Sequence, residues 1–106
     1  MKLNKHITKA TLTKFLKKNA KTFFRGADEC KCPISRYFQA QNKSAKDYKI
    51  RTGTVCTRFY KLNDVIEPVD KVIHRPWLVT FIDDVDNCYT LLQFTGKDAL
   101  KLLEPV

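Results

Sequence analysis

Apolar positions recur at helical spacing in four stretches of this chain, and strand-like alternation fills the gap between the second and third. Leu12, Phe15, Leu16, Ala20 and Phe23 follow helical spacing and define one apolar stripe. Thr8 or Thr11 offers a side-chain oxygen able to cap this first helix, which is expected to run to about Asn19. Residues 23–32 read as a connection, with Gly26 as its turn residue. Pro33 suits the first position of a second helix, where its missing N–H would have had no partner. Ile34, Tyr37, Phe38 and Gln41 then share a face, the first three core-forming, and the helix is expected to stop near Asn42. Residues 42–47 are polar and read as a loop.

Residues 48–60 are rich in Tyr, Ile, Thr, Val and Phe, which favours strand. The alternation of Tyr48, Ile50 and Thr52 loses phase at Gly53, then resumes on the other parity with Val55 and Phe59. A phase break at glycine predicts a bulge or tight hairpin between two short strands. A further short strand is expected around 71–73. Arg75-Pro76 restarts a helix, whose broad apolar face holds Trp77, Leu78, Phe81, Ile82 and Val85 and which Asp86-Asn87 should end. Residues 89–94 read as a last short strand. Thr95 followed three residues later by Asp98 resembles a capping box, and Ala99, Leu100, Leu102 and Leu103 complete a terminal helix. The expected fold class is α+β: about four helices packed on a small antiparallel sheet or hairpin. At 106 residues, 1–106 should form a single small domain around one core.

Charge alters this picture. Residues 1–50 carry thirteen Lys or Arg against three Asp or Glu, the remainder seven against eight, for a net charge of +9. At about 100° per residue, Lys14, Lys17, Lys18 and Lys21 fall within an arc of about 100° opposite the apolar stripe. Arg25, Lys31, Arg36, Lys43, Lys46, Lys49 and Arg51 extend the basic half. Such a one-sided field suits a polyanion, because lysines that neutralise phosphates release counterions and give affinity without sequence readout. Phe24, Tyr48 and Tyr60 are the aromatic side chains available to stack on unpaired bases. The competing reading is a solvated basic face that serves solubility alone. No helix-turn-helix, RNA-recognition signature or zinc-finger spacing accompanies the lysines.

Candidate chemistry is sparse. Cys30, Cys32, Cys56 and Cys88 match no standard zinc spacing, and without a secretory leader reduced thiols are expected. Cys32, beside Lys31 at the start of the second helix, is a candidate for a lowered thiol pKa; the alternative, which we favour, is a small buried residue. Asp83, Asp84 and Asp86 with Asn87 read as a solvated helix end rather than a cation site. Neither a nucleophilic triad nor a glycine-rich phosphate loop can be argued from Ser35, Thr52 and Thr95 or from glycines at 26, 53 and 96. The basic N-terminal stretch lacks the apolar run of about 7–15 residues of a secretory signal, and no stretch approaches the roughly 20 apolar residues that span a bilayer. A cytoplasmic location and no membrane partner are therefore expected.

The segment Cys32-Pro33-Ile34-Ser35-Arg36-Tyr37-Phe38 resembles a Cys-Pro-apolar-Ala/Ser-x-Tyr-Leu/Phe segment of small, uncharacterised bacterial and phage proteins. In those, an N-terminal helix precedes the segment, and a β-rich stretch, an aromatic-bearing helix ending in Val-Asp and a Thr-initiated terminal helix follow it. The resemblance implies the same architecture and a phage or mobile-element origin, and it carries no activity. The reading that results is a non-enzymatic accessory protein, with no cofactor and no metal. Its basic N-terminal half would bind nucleic acid or an acidic nucleoprotein partner through Lys14, Lys17, Lys18, Lys21, Arg25, Arg36, Lys49 and Arg51; a homo-oligomer is compatible with it. The alternative is a phage or mobile-element inhibitor that binds a host complex by protein–protein contact.

Overall fold

Thr8 starts the first helix with extended backbone, accepting the Thr11 amide on its hydroxyl while the Thr11 hydroxyl accepts the Thr8 amide. The pair satisfies two amides that a helix start leaves without intrahelical partners. In the computed structural model, which describes residues 3–42, 48–63, 66–90 and 92–103, α1 spans Lys9–Lys18 and buries Leu12 and Leu16. The apolar stripe does not continue as helix. Ala20 lies in a turn, and Phe23 opens a short strand, β1 (Phe23–Arg25), where a connection was expected. The last helix explains the change of course. The Ala20 and Thr22 carbonyls accept the amides of Lys97 and Gly96, so the start of the last helix meets the end of the first.

β1 pairs antiparallel with β5 (Gln93–Thr95), placing Phe24 opposite Phe94. Successive side chains of a strand face opposite ways. Phe24 is therefore buried, whereas Phe23 and Arg25 point outward. Cys32 caps α2 (Pro33–Gln41) by accepting the Ser35 amide on Sγ at 3.4 Å, and Pro33 occupies the first turn as expected. The segment of residues 3–8 lies against α2. Asn4 and Asn42 exchange hydrogen bonds, and the Tyr37 hydroxyl sits 2.8 Å from the His6 carbonyl and 2.9 Å from Thr11 Oγ1.

A second antiparallel sheet has the order β2 (Tyr48–Thr52), β3 (Cys56–Lys61), β4 (Asp70–Ile73). Gly53 separates β2 from β3, as the phase break predicts, although Val55 belongs to the bend and is exposed. α3 (Pro76–Tyr89) outruns its expected end at Asp86-Asn87. Tertiary packing overrides the weak helix propensity there. The Tyr89 ring stacks on Phe94 at 4.6 Å, and the Thr90 hydroxyl donates back to the Asp86 carbonyl. Gly26 is needed for this approach and not for a turn, because a Cβ on it would stand 2.1 Å from the Tyr89 carbonyl oxygen. Thr95 and Asp98 form the expected box ahead of α4 (Gly96–Leu103): the Thr95 amide donates to the Asp98 carboxylate, and the Asp98 amide donates to Thr95 Oγ1. The Thr95 amide holds Asp98 below the ordinary carboxylate range.

The architecture is α+β, four helices with two small antiparallel sheets around one core. α2 lies between α1 and the three-stranded sheet. Phe15 meets Tyr37 at 5.6 Å, Tyr37 meets Phe38 at 5.3 Å and Phe38 meets Phe59 at 5.6 Å, each edge to face. Such ring pairs are worth about 0.5–1.5 kcal/mol beyond their buried area. Every residue of the segment Cys32–Phe38 except Arg36 is buried.

Candidate nucleic-acid interface

The three-stranded sheet has two unlike faces. Ile50 and Phe59 face the core, with Thr52 and Thr57 beside them. The intervening positions face away from α2: Lys49 and Arg51 on β2, Arg58 and Tyr60 on β3, Lys71 on β4. The register sets Arg51 directly opposite Arg58, and Arg58 directly opposite Lys71. Three cations therefore form a row across three strands, spanning about 10 Å at the usual strand spacing. Lys49 is opposite Tyr60, one step along the strands, and the Arg51 guanidinium carbon lies 5.6 Å from the Tyr60 ring centroid. Among the described residues no Asp or Glu takes an outward position on these strands. Asp70, on the other parity, pairs with Lys5 at 3.1 Å. Like charges directly opposite in a sheet cost about 0.2–1 kcal/mol per pair. Arg51 gains a contact with the Tyr60 ring, but the alignment of the three cations works against folding, so folding does not account for the row as a whole.

A second group of cations comes from three different elements. Arg25 points outward from β1; Lys31 ends the turn that follows; Arg36 is on the exposed flank of α2. The Arg25 amide donates to the Lys31 carbonyl at 3.1 Å, and the Asp28 carboxylate closes the turn by accepting the Cys30 and Lys31 amides. Together with Phe23, Phe24 and Gln93 these residues line a hollow of about 190 Å³. Phe23 is 62% exposed.

Lys14, Lys17, Lys18 and Lys21 are exposed on α1 and the turn after it. They form no ion pair with a carboxylate among the described residues. Lys17 and Lys18 occupy the last turn, where cations suit the helix dipole, so part of their presence is local. Because α2 separates α1 from the sheet, the N-terminal basic residues do not form one patch. Arg25 is brought together with Arg36, and Lys49 with Arg51, the latter pair joined by Arg58 and Lys71 from the other half of the chain. Lys43 and Lys46, in the expected loop 42–47, fall outside the described residues. Of the expected stacking residues, Phe24 and Tyr60 are buried and Tyr48 is half-buried. Phe23, placed on the helical stripe by its spacing, is the exposed ring instead.

Below the sheet runs a chain of polar contacts. Ser35 Oγ lies 2.8 Å from Thr52 Oγ1, Thr52 Oγ1 3.1 Å from Thr57 Oγ1, and Thr57 Oγ1 2.7 Å from His74 Nε2. His74 Nδ1 is 2.9 Å from the Thr54 carbonyl, so it carries the proton and Nε2 accepts. Burial pushes the His74 pKa down. Cys32 Sγ adjoins the chain at 3.7 Å from Ser35 Oγ, and burial raises its thiol pKa. The lowered thiol pKa considered for Cys32 is therefore overturned, since desolvation outweighs the helix N-terminus. A cleft of about 200 Å³ borders Cys32, Thr52, Phe81, Ile82 and Asp86. Its Asp86 carboxylate is committed to the Ala27 amide at 2.9 Å, so that aspartate anchors a turn, in a helix that continues past it. Ala27 takes a positive φ of 58° there. Among the described residues no three His, Cys, Asp or Glu side chains gather where they could hold a metal ion, and no helix is long and apolar enough to cross a membrane.

No protein-family model matches the chain, and no curated protein or solved structure shows significant similarity to it.

Proposed function

We propose that the chain is a non-enzymatic protein that binds nucleic acid through its basic surface, with the outer face of the three-stranded sheet as the main attachment. The observation that carries this reading is the row Arg51–Arg58–Lys71, a like-charged alignment whose electrostatic cost a phosphate backbone would cancel. Lys49 extends the row along β2, and the lysines of α1 add to the field that steers a polyanion toward the molecule. Contacts of this kind position a backbone and read no sequence.

The test is a salt titration of DNA and RNA binding by fluorescence anisotropy, comparing the wild type with Arg58→Glu/Lys71→Glu. Binding should weaken steeply as salt rises, and the double reversal should reduce affinity on the order of tenfold or more at low salt. Absence of binding at low salt, or equal affinity of the variant, removes the proposal.

A second reading is favoured by one observation. Leu62, Ile66 and Val69 are exposed in the β3–β4 connection, next to the basic row. Apolar side chains beside a charged field suit a protein partner with an acidic surface, as an inhibitor of a host nucleic-acid complex would require. Capture from nuclease-treated lysate distinguishes the two. A partner that survives the nuclease and is lost on changing Leu62 and Val69 to Ser supports the inhibitor.

A further inference from the structure

We infer that the hollow between β1 and α2 holds one unpaired nucleotide of a single strand, with its phosphate among Arg25, Lys31 and Arg36 and its base on the Phe23 ring. This rests on the nucleic-acid reading above and specifies the form of nucleic acid that the molecule prefers.

Strand alternation, a turn and a helix each deliver one cation to the same hollow, and no described carboxylate lines it. Its volume of about 190 Å³ suits a phosphate group and falls below the roughly 300–1,000 Å³ of sites for drug-sized ligands. The Arg36 guanidinium offers forked donors that match phosphate oxygens, and Arg25 and the lysine add positive charge to the same hollow. Phe23 and Arg25 are two residues apart on one strand, so their side chains leave β1 on the same side. Phe24 is fixed in the core against Phe15 and Phe94, at 6.2 and 6.0 Å between ring centroids, which leaves the neighbouring Phe23 ring turned out to solvent. Exposing a phenylalanine gains nothing for the fold. Beside three cations it offers the aromatic platform on which unpaired bases stack, and base stacking of this kind tolerates any sequence. A duplex keeps its bases stacked on one another, so Phe23 can add affinity only for a single strand.

The experiment measures anisotropy with a labelled oligothymidine of about twelve nucleotides and with a duplex of the same length. Phe23→Ala should weaken single-strand binding about tenfold and leave duplex binding within about twofold, whereas Phe23→Trp should retain the preference. Arg36→Gln should weaken single-strand binding as well. Because Phe23 is exposed, its variants should unfold at the wild-type temperature, and that check separates a binding defect from a folding defect. Equal loss on both probes, or no loss on either, overturns the inference while leaving nucleic-acid binding intact. Failure of the wild type to bind either probe at low salt removes both readings together.

Discussion

Thr57 and Arg58 are neighbours on β3, yet the molecule treats them in opposite ways. Thr57 faces inward into a chain in which each hydroxyl has a partner, from Ser35 through Thr52 to His74. Arg58 faces outward between two more cations. A buried polar group left unmatched costs about 1–3 kcal/mol, and among the described residues no buried side-chain nitrogen or oxygen lacks a partner. The outer row is left in mutual repulsion. A fold that resolves its interior polar groups this completely has no structural need for the outer row, which is why that row carries the functional reading.

The contrast can be broken first from the inside. Thr57→Val keeps the shape but removes the hydroxyl between Thr52 and His74. It should cost about 1–3 kcal/mol, read as a lower urea midpoint at unchanged slope. A loss within experimental error would mean that the chain of hydroxyls is incidental. The next effect is on pH. His74 has a folded pKa below its unfolded value of about 6.5, so the unfolded chain takes up the proton first as acid is added. Its contribution is therefore complete above about pH 6.5 and declines below it, by at most about 1.4 kcal/mol per pH unit. Unfolding curves of the wild type and His74→Gln between pH 7.5 and about 5 should converge toward the acid end if the assignment holds. The smallest effect has the opposite sign. Arg58→Thr removes the central cation of the outer row and should raise stability by about 0.2–1 kcal/mol in thermal melts at low salt, a gain that added salt erodes. Destabilisation instead would make the row part of the scaffold.

Much of the fold was legible because its signals are local. The Thr95–Asp98 box, Pro33 at the head of α2 and the phase break at Gly53 each depend on residues a few positions apart. The failures share a different cause. Phe23 continues the helical spacing of Leu12 and Leu16, but α4 draws the chain aside through the carbonyls of Ala20 and Thr22, about 75 residues away in sequence. The end of α3 was misplaced because Asp86 and Asn87 look like terminators until Tyr89 finds Phe94. The candidate site was half legible. Lys49 stands out in a basic half and Arg51 directly follows it, but Arg58 and Lys71 lie deeper in a half with no net excess of positive charge. Pairing register alone makes them one row. Parity offered a usable signal, since Lys49, Arg51 and Arg58 share alternate positions with polar or charged side chains on two consecutive strands.

The placement of the thiols has a practical consequence. Cys88 is exposed on α3, whereas Cys32 is buried beneath the α2 start that it caps. A thiol reagent should consume the former at once and reach the latter only when the beginning of α2 opens. The slow arm at Cys32, resolved by peptide mass mapping from that of Cys56, which is also buried, therefore clocks how often this part of the molecule breathes, with no probe attached.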